Sequence, residues 1–359
     1  MKLAILAEGQ LAPATAKTAI GVLRYARSPV VAIVDSTRAG SNAAAHVGVG
    51  HGVPVVATVD DAIALGAEAF LIGTAAAGGR IPDPYRPLLA RALERGHEVW
   101  NGLHERVLSD PALAAAAKRG NAIVRELREP PADLPIGGHR IRRAGAVVVL
   151  TVGTDAAVGT MTASLEITEA LRRMGKRAAF VATGQTGIAI AGEGIAVDAV
   201  VADFIAGAAE LMVCDAAETS DYVIVEGQGS LTHPGFSGVT LGLLHGTAPD
   251  LMVLCHDVRR LVMKGYDQEG LPVRSLNECI DIYEDAAAWR RPPGHPRARV
   301  VGVALNTAGY PDDAAEAAIT DANLRTKLPS ADPIREGTEG ADRIARAVVD
   351  AGDGAPPQR

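Results

Sequence analysis

The stretch AVVVLTVGTDAAVGTMTAS (146–164) decides how the chain is expected to fold. It opens with a continuous β-branched run, AVVVLTV (146–152), the pattern of a strand buried on both faces of a parallel sheet. A turn bracketed by Gly153 and Gly159 follows, and then MTASLEITEALRRMG, an amphipathic helical pattern. A strand, a glycine-rich turn and a helix start together aim backbone N–H groups at an oligophosphate. The glycines permit close approach, and the helix N-terminus adds partial positive charge. The expected cradle is Gly153, Thr154, Asp155, Val158, Gly159, Thr160, Met161 and Thr162. The plainer alternative is a tight turn from strand to helix that holds no ligand.

The two glycines enclose five residues, TDAAV, where the usual phosphate loop encloses four. A five-residue version ending V-G-K-T is known from dethiobiotin-synthetase-like enzymes, which this stretch resembles. Here the ending is V-G-T-M-T. Thr160 stands in place of the lysine and Met161 in place of the magnesium-binding hydroxyl, with Thr162 the next hydroxyl on the helix. The missing groups serve the β- and γ-phosphates and their metal. What remains suits a diphosphate whose bonds stay intact.

Outward from this loop, AAFVA (178–182), YVIV (222–225), LMVLC (251–255) and VVGVAL (300–305) read as further buried strands separated by helices. The first ~140 residues alternate in the same way, with LAIL (3–6), VVAIVD (30–35), VPVV (53–56), AFLIG (69–73) and EVWNGLH (98–104) as strands. PYRPLLARALERG is amphipathic, with Leu88, Leu89, Ala92 and Leu93 on one face and Gly96 as its stop. The fold class is α/β, in two parallel-sheet domains. The expected boundaries are 1–130 for the first domain, 131–145 for a Pro/Gly-rich linker, 146–350 for the second domain and 351–359 for a frayed tail. The first turn, AEGQLAP, lacks the G-x-G-x-x-G dinucleotide fingerprint. Asp35, Gly73, Asn101 and His104 form a loose rim at strand ends, where a lone Asp is more often a cap than a ribose ligand.

Composition narrows the function classes. The formal net charge is −7, with no Lys/Arg run long enough for a nucleic-acid stripe. The most basic segment, RRPPGHPRAR (290–299), reads as a proline-rich surface loop. Three cysteines without metal spacing fit reduced thiols, with Cys255 as buried filler. The run MKLAILAEGQ meets Glu8 before a signal core develops, and no apolar stretch reaches the ~20 residues that cross a membrane. A cytoplasmic protein is expected, with no nucleic-acid or membrane partner. Alanine-rich helix faces allow a homo-oligomer without marking which face pairs.

Polar residues gather where the second-domain strands end. VIVEGQGSLTHPGFSG (223–238) carries Glu226, Gln228, Ser230 and His233. ATGQTGIAIAGEG (182–194) carries Gln185 and Thr186, expected to face the phosphate-loop rim. VLCHDVRRL (253–261) carries His256, Asp257, Arg259 and Arg260, a set suited to anions. VALNTAGY (303–310) ends on Asn306, whose amide suits an adenine edge. A lone histidine in such a loop is usually structural. Four clusters at the carboxyl ends of parallel strands mark a site there.

Together VGTDAAVGTMT, ATGQTGIAIAG, VVADFIAGAAE, VEGQGSLTHPGFSGVTLGLLHG, CHDVRR, GVALNT, GLHERVLSD and LREPPADL resemble a bacterial family. That family has a Rossmann-like N-terminal domain and a P-loop NTPase-like C-terminal domain, and a characterised branch consists of D-glutamate N-acetyltransferases. Family loops usually read G-K-M-T, so Thr160 departs even from these, and Asp257-Val258 replaces a more usual Glu-Pro. The resemblance implies acetyl transfer from acetyl-CoA, as co-substrate, to the amino group of a small amino acid such as D-glutamate. His233 and Glu226 are then the expected bases, the loop 227–230 the oxyanion donors, and Arg260 with Arg259 the carboxylate partners. Gln185, Thr186, Gln228, Ser230 and His256 would complete the substrate site. Two other readings stay open: an ATP- and Mg-dependent ligase or kinase-like enzyme with Glu226 on the metal, and a non-catalytic CoA or nucleotide sensor.

Overall fold

The computed structural model describes residues 1–74, 77–290 and 296–352; part of the basic loop 290–299 and most of the tail 351–359 lie outside them. The chain forms two compact units, Met1–Glu129 with Gln185–Ala196, and Pro130–Gly184 with Val197–Arg359.

The sheet of the first unit contains β1 (Leu3–Leu6), β2 (Val30–Val34), β3 (Val55–Val56), β4 (Ala69–Ile72), β5 (Glu98–Asn101) and β6 (Val124–Glu126). All pairings are parallel, in the order β3-β2-β1-β4-β5-β6, that of a doubly wound dinucleotide fold. The helix Tyr85–Glu94 buries Leu89, Ala92 and Leu93 as its periodicity predicts, and Gly96 follows with φ +79°. The strand-end polar groups tie loops together. Asp35 is fully buried and accepts from the amides of Gly9 and Thr37, and Asn101 bonds Glu126, Glu105 and Leu103. Asp35 is thus a cap, the plainer of its two readings.

Gln185–Ala191 is a helix of this first unit, although its place in the sequence lies within the expected second domain. Its residues Gly187, Ile188, Ala189 and Ile190 are buried, and Thr186 Oγ1 lies 2.9 Å from Thr18 Oγ1. The apolar character that read as a strand-end turn is a helix face.

The second sheet contains β7 (Val147–Gly153), β8 (Ala178–Val181), β9 (Tyr222–Val225), β10 (Leu251–Asp257), β11 (Arg299–Asn306) and β12 (Ser330–Ala331), all parallel, in the order β12-β11-β10-β7-β9-β8. Side chains alternate across it. Val148, Leu150 and Val152 join a core with the helices Ala202–Thr219, Ser237–Thr247 and Leu276–Ala288. Val149 joins the opposite core with the helices Thr160–Arg173 and Thr338–Gly352. Both faces are apolar, which is why this strand reads as an unbroken hydrophobic run. The connection from β7 runs to β8 on one side and that from β10 to β11 on the other, placing the strand order's switch point between β7 and β10. The segment expected as a linker is held in this unit, where the amides of Gly138 and Arg140 both donate to the buried Glu210 carboxylate.

One position controls how closely the loop after β9 approaches β7. A Cβ on Gly227 would lie 1.9 Å from the Thr151 carbonyl oxygen, whereas one on Gly238 would meet nothing within 4 Å. Gly227→Ala is expected to destabilise the fold by about 1–3 kcal/mol or more through overpacking. Gly238→Ala, on the exposed first turn of its helix, is expected to change stability by no more than ~1 kcal/mol, in the favourable direction. Urea unfolding of the two variants checks this, and equal midpoints would refute the close approach.

Candidate functional site

The loop after β7 is built to leave amides free. Gly153 must lack a side chain, because a Cβ there would sit 2.7 Å from the Asp155 carbonyl and 2.8 Å from that of Gly229. Ala157 (φ +59°) and Gly159 (φ +112°) turn the backbone through the left-handed region before the helix starts at Thr160. Alternation of this kind makes a concave nest of N–H groups. Thr154 N donates to Cys255 O at 3.0 Å. Among the described residues, apart from the tight turn over Ala156 and Ala157, the amides of Asp155 through Thr162 donate to no protein oxygen. Those of Thr160, Met161 and Thr162 belong to a first helical turn, which has no internal acceptors for them.

The side chains of the loop turn to the protein. Thr160 Oγ1 donates to Gly227 O at 2.8 Å, tying the helix start to the loop after β9. The fully buried Asp155 carboxylate accepts from Lys264 N (2.9 Å) and Arg260 Nη1 (3.2 Å) through Oδ2. Among the described residues its Oδ1 has no hydrogen-bond partner, and it lies 3.8 Å from His233 Nε2. Tyr283, buried in the helix Leu276–Ala288, donates to Gly153 O at 2.9 Å and accepts from Leu231 N at 3.1 Å. It joins two loops that sequence reading left unconnected, since an aromatic on an amphipathic helix reads simply as core.

The loop after β9 is equally tied. His233 is buried, stacks on Phe236 at 4.5 Å and meets Tyr266 edge-on at 5.4 Å. Its Nε2 donates to Lys264 O (3.0 Å) and its Nδ1 accepts from Gly235 N (3.1 Å), so both ring nitrogens are engaged. Ser230 Oγ pairs with Thr232 Oγ1 at 3.0 Å, and Gln228 Nε2 donates to Thr183 Oγ1 at 3.1 Å. Glu226 is buried, and its Oε2 accepts from the amides of Thr183 (3.0 Å) and Gly184 (3.2 Å). Burial raises its carboxyl to about 7, outweighing those two amides.

At the end of β10, His256 Nδ1 lies 2.8 Å from Thr154 Oγ1. Burial lowers its pKa against the opposing charges of Asp257 and Asp155. Burial also pushes Asp257 upward, but its two bonds from the Arg259 guanidinium (3.1 and 3.0 Å) more than offset this and hold it below the usual carboxylate value. Arg259 is therefore paired, and Arg260 partly so. Asn306 Oδ1 accepts from Ala308 N at 3.1 Å, shaping the turn after β11. The second unit thus gathers Gly153 to Thr162, Glu226, Gln228, Ser230, His233, His256, Arg259, Arg260 and Asn306 at the carboxyl ends of its central strands. Gln185 and Thr186 belong to the first unit.

Glu226 gives stability a definite pH dependence. In the unfolded chain the carboxyl ionises near 4.5, but in the fold it keeps its proton to about 7. Its contribution is fully present below pH 4.5 and is lost as pH rises to about 7, on the order of 3 kcal/mol at ~1.4 kcal/mol per pH unit. Glu226→Gln retains an acceptor for the two amides, so it should flatten the stability curve across that window. Denaturant titrations at pH 4.5 to 7.5 check this, and an unchanged slope in the variant would refute it.

Comparisons with known proteins agree with this architecture. Residues 135–345 match the family described as "Domain of unknown function (DUF1611_C) P-loop domain", and residues 36–130 match "Domain of unknown function (DUF1611_N) Rossmann-like domain". A D-glutamate N-acetyltransferase from a Pseudoalteromonas species is 36% identical over 79% of this chain and 82% of its own. One from Tritonibacter scottomollicae is 36% identical over 81% and 84%. The crystal structure of a DUF1611 family protein from Anabaena variabilis superposes with a TM-score of 0.88 at 38% identity, covering 97% of this chain and 99% of that one. With a Rossmann-like fold before a P-loop fold, and with both family descriptions matched in that order, this chain belongs to the DUF1611 family.

Proposed function

We propose that this protein is an acyl-CoA-dependent N-acyltransferase that moves an acetyl group from acetyl-CoA to the amino group of an amino acid, with D-glutamate as the lead substrate. The carrying observation is the loop 155–162, most of whose amides meet no protein acceptor among the described residues while the side chains of Asp155 and Thr160 are committed elsewhere. Such a cradle can hold a diphosphate through the backbone alone. It presents no lysine at position 160, and the Thr160 hydroxyl is bonded to Gly227 O. Coenzyme A carries a diphosphate that stays intact during transfer, so it has no need of a clamp on a leaving phosphate. The names of the two 36%-identical relatives point to the same reaction.

Within this reading, Gly153, Thr154, Val158, Gly159 and Met161 shape the cradle and Asn306 sits at the adenine end. The amides of Gln228, Gly229 and Ser230 face the developing oxyanion, since that of Gly227 already donates to Thr151 Oγ1 at 3.0 Å. His233, with both nitrogens engaged, holds this loop in place. The Mg-ATP alternative lacks the lysine at residue 160 and the adjacent hydroxyl at residue 161, where Thr160 and Met161 stand.

Thermal shifts separate the readings, because a ligand that binds the folded state raises apparent stability, by ~2.7 kcal/mol at 100 times its Kd. Acetyl-CoA is expected to raise the melting temperature, and D-glutamate with acetyl-CoA to release free thiol continuously. Stabilisation by Mg-ATP and none by acetyl-CoA would overturn the proposal. Thr160→Lys restores a phosphate-seeking cation beside the cradle and should tighten ATP binding at least ~10-fold, about 1.4 kcal/mol. Unchanged ATP affinity would count against a phosphate cradle.

A further inference from the structure

Beside the phosphate loop, where β10 and β11 end, lies a cavity of about 380 Å³, within the usual range for small-molecule sites. His256, Arg260, Arg274, Asn277, Tyr310 and Arg325 are in its wall, with Leu261, Leu276 and Leu305 as apolar lining. The His256 ring connects two places. Its Nδ1 meets Thr154 Oγ1 of the phosphate loop at 2.8 Å, and the same residue lines the cavity. Among the described residues, Nε2 has no hydrogen-bond partner.

The charges around the cavity favour an anion. Three arginines line it against one acid, Asp321. Arg325 pairs with Asp321 at 2.8 Å and Arg274 with Glu278 at 3.4 Å, all four side chains being exposed. Exposed pairs of this kind are worth ~0–1 kcal/mol and exchange readily for an incoming carboxylate. Arg260 gives one nitrogen to Asp155 and keeps the rest of its guanidinium for a ligand.

We propose that this cavity binds the acceptor as an acidic amino acid, its carboxylates on Arg260 and on Arg274 and Arg325 at the mouth, and its amino group at His256 Nε2, which accepts the proton. This rests on the acyltransferase reading. The acceptor arrives as an ammonium and gives one proton to Nε2, while Nδ1–H is held by Thr154 Oγ1. The freed nitrogen pair attacks the thioester carbon, and the C–N bond forms. The tetrahedral intermediate collapses with cleavage of the C–S bond, and the nitrogen loses its second proton. One proton converts the departing thiolate to the coenzyme thiol, and the other reaches solvent. Burial lowers the His256 pKa against the opposing pull of Asp257 and Asp155, which favours the neutral ring that can accept a proton.

Two variants of the full chain test the assignment with acetyl-CoA and D-glutamate. In His256→Asn the amide can keep the contact with Thr154 but cannot take a proton. It is expected to lower kcat by about 10²-fold or more, the usual contribution of general base catalysis, with the KM for acetyl-CoA within roughly 3-fold of wild type. The pair Arg274→Gln with Arg325→Gln is expected to raise the KM for D-glutamate ~10-fold, leaving that for acetyl-CoA in place. Undiminished kcat in His256→Asn would overturn the base assignment. A raised KM for acetyl-CoA alone in the arginine pair would give the cavity to the coenzyme and overturn the acceptor site. Should His256→Asn fail to fold by circular dichroism, the arginine pair decides the question. Wild-type protein inactive across D- and L-amino acids would remove the acyltransferase reading itself, whereas active wild type with unaltered variants would remove the cavity proposal alone.

Discussion

The candidate site depends on how closely the loop after β9 sits against β7. Gly227 N donates to Thr151 Oγ1 at 3.0 Å, and Gly227 O accepts from Thr160 Oγ1 at 2.8 Å. No side chain fits at residue 227. This joint fixes the start of the helix Thr160–Arg173 against the loop that carries Glu226 and His233. Tyr283 adds a second fastening from the opposite core, bonding both Gly153 O and Leu231 N. With two buried fastenings the loop backbone is held by the protein, so its amides need no ligand to keep their orientation.

Thr160 changes meaning in this light. At the lysine position of a phosphate loop, a long cation reaches out over the bound phosphates. A threonine is too short for that, and here its hydroxyl turns inward to a carbonyl. The substitution exchanges ligand contact for scaffold rigidity. The cradle then relies on backbone dipoles and the helix terminus, worth less against a highly charged triphosphate than a lysine would be. That balance suits an oligophosphate that serves as a handle.

The sheets were legible in the sequence because burial on both faces leaves continuous apolar runs; Val147–Gly153 and Tyr222–Val225 fall within a residue of their expected limits. The two-residue strand Ser330–Ala331 and the three-residue strand Val124–Glu126 carry too little pattern to be found that way. The phosphate loop was equally legible, since glycine spacing is local information. Partnerships were not. That Asp155 faces Arg260 and Lys264, and that Gln185 and Thr186 belong to the first unit, depend on contacts distant in sequence or on helix packing.

The two site histidines show why residue type and position cannot assign a base. His233 lies in the loop after β9 and His256 near the carboxyl end of β10, so both belong to the same rim of the sheet. His233 is held at Nδ1 by Gly235 N and at Nε2 by Lys264 O, and it is stacked on Phe236. To accept a proton at Nδ1 it would first have to release the Gly235 amide. His256 needs no such rearrangement, because its one bond among the described residues, to Thr154, orients the ring and leaves the far nitrogen available. A general base needs a lone pair within hydrogen-bond reach of the proton it takes. By that criterion His256 is the stronger candidate for proton transfer in the acyltransferase we propose, and His233 the one tied into the loop.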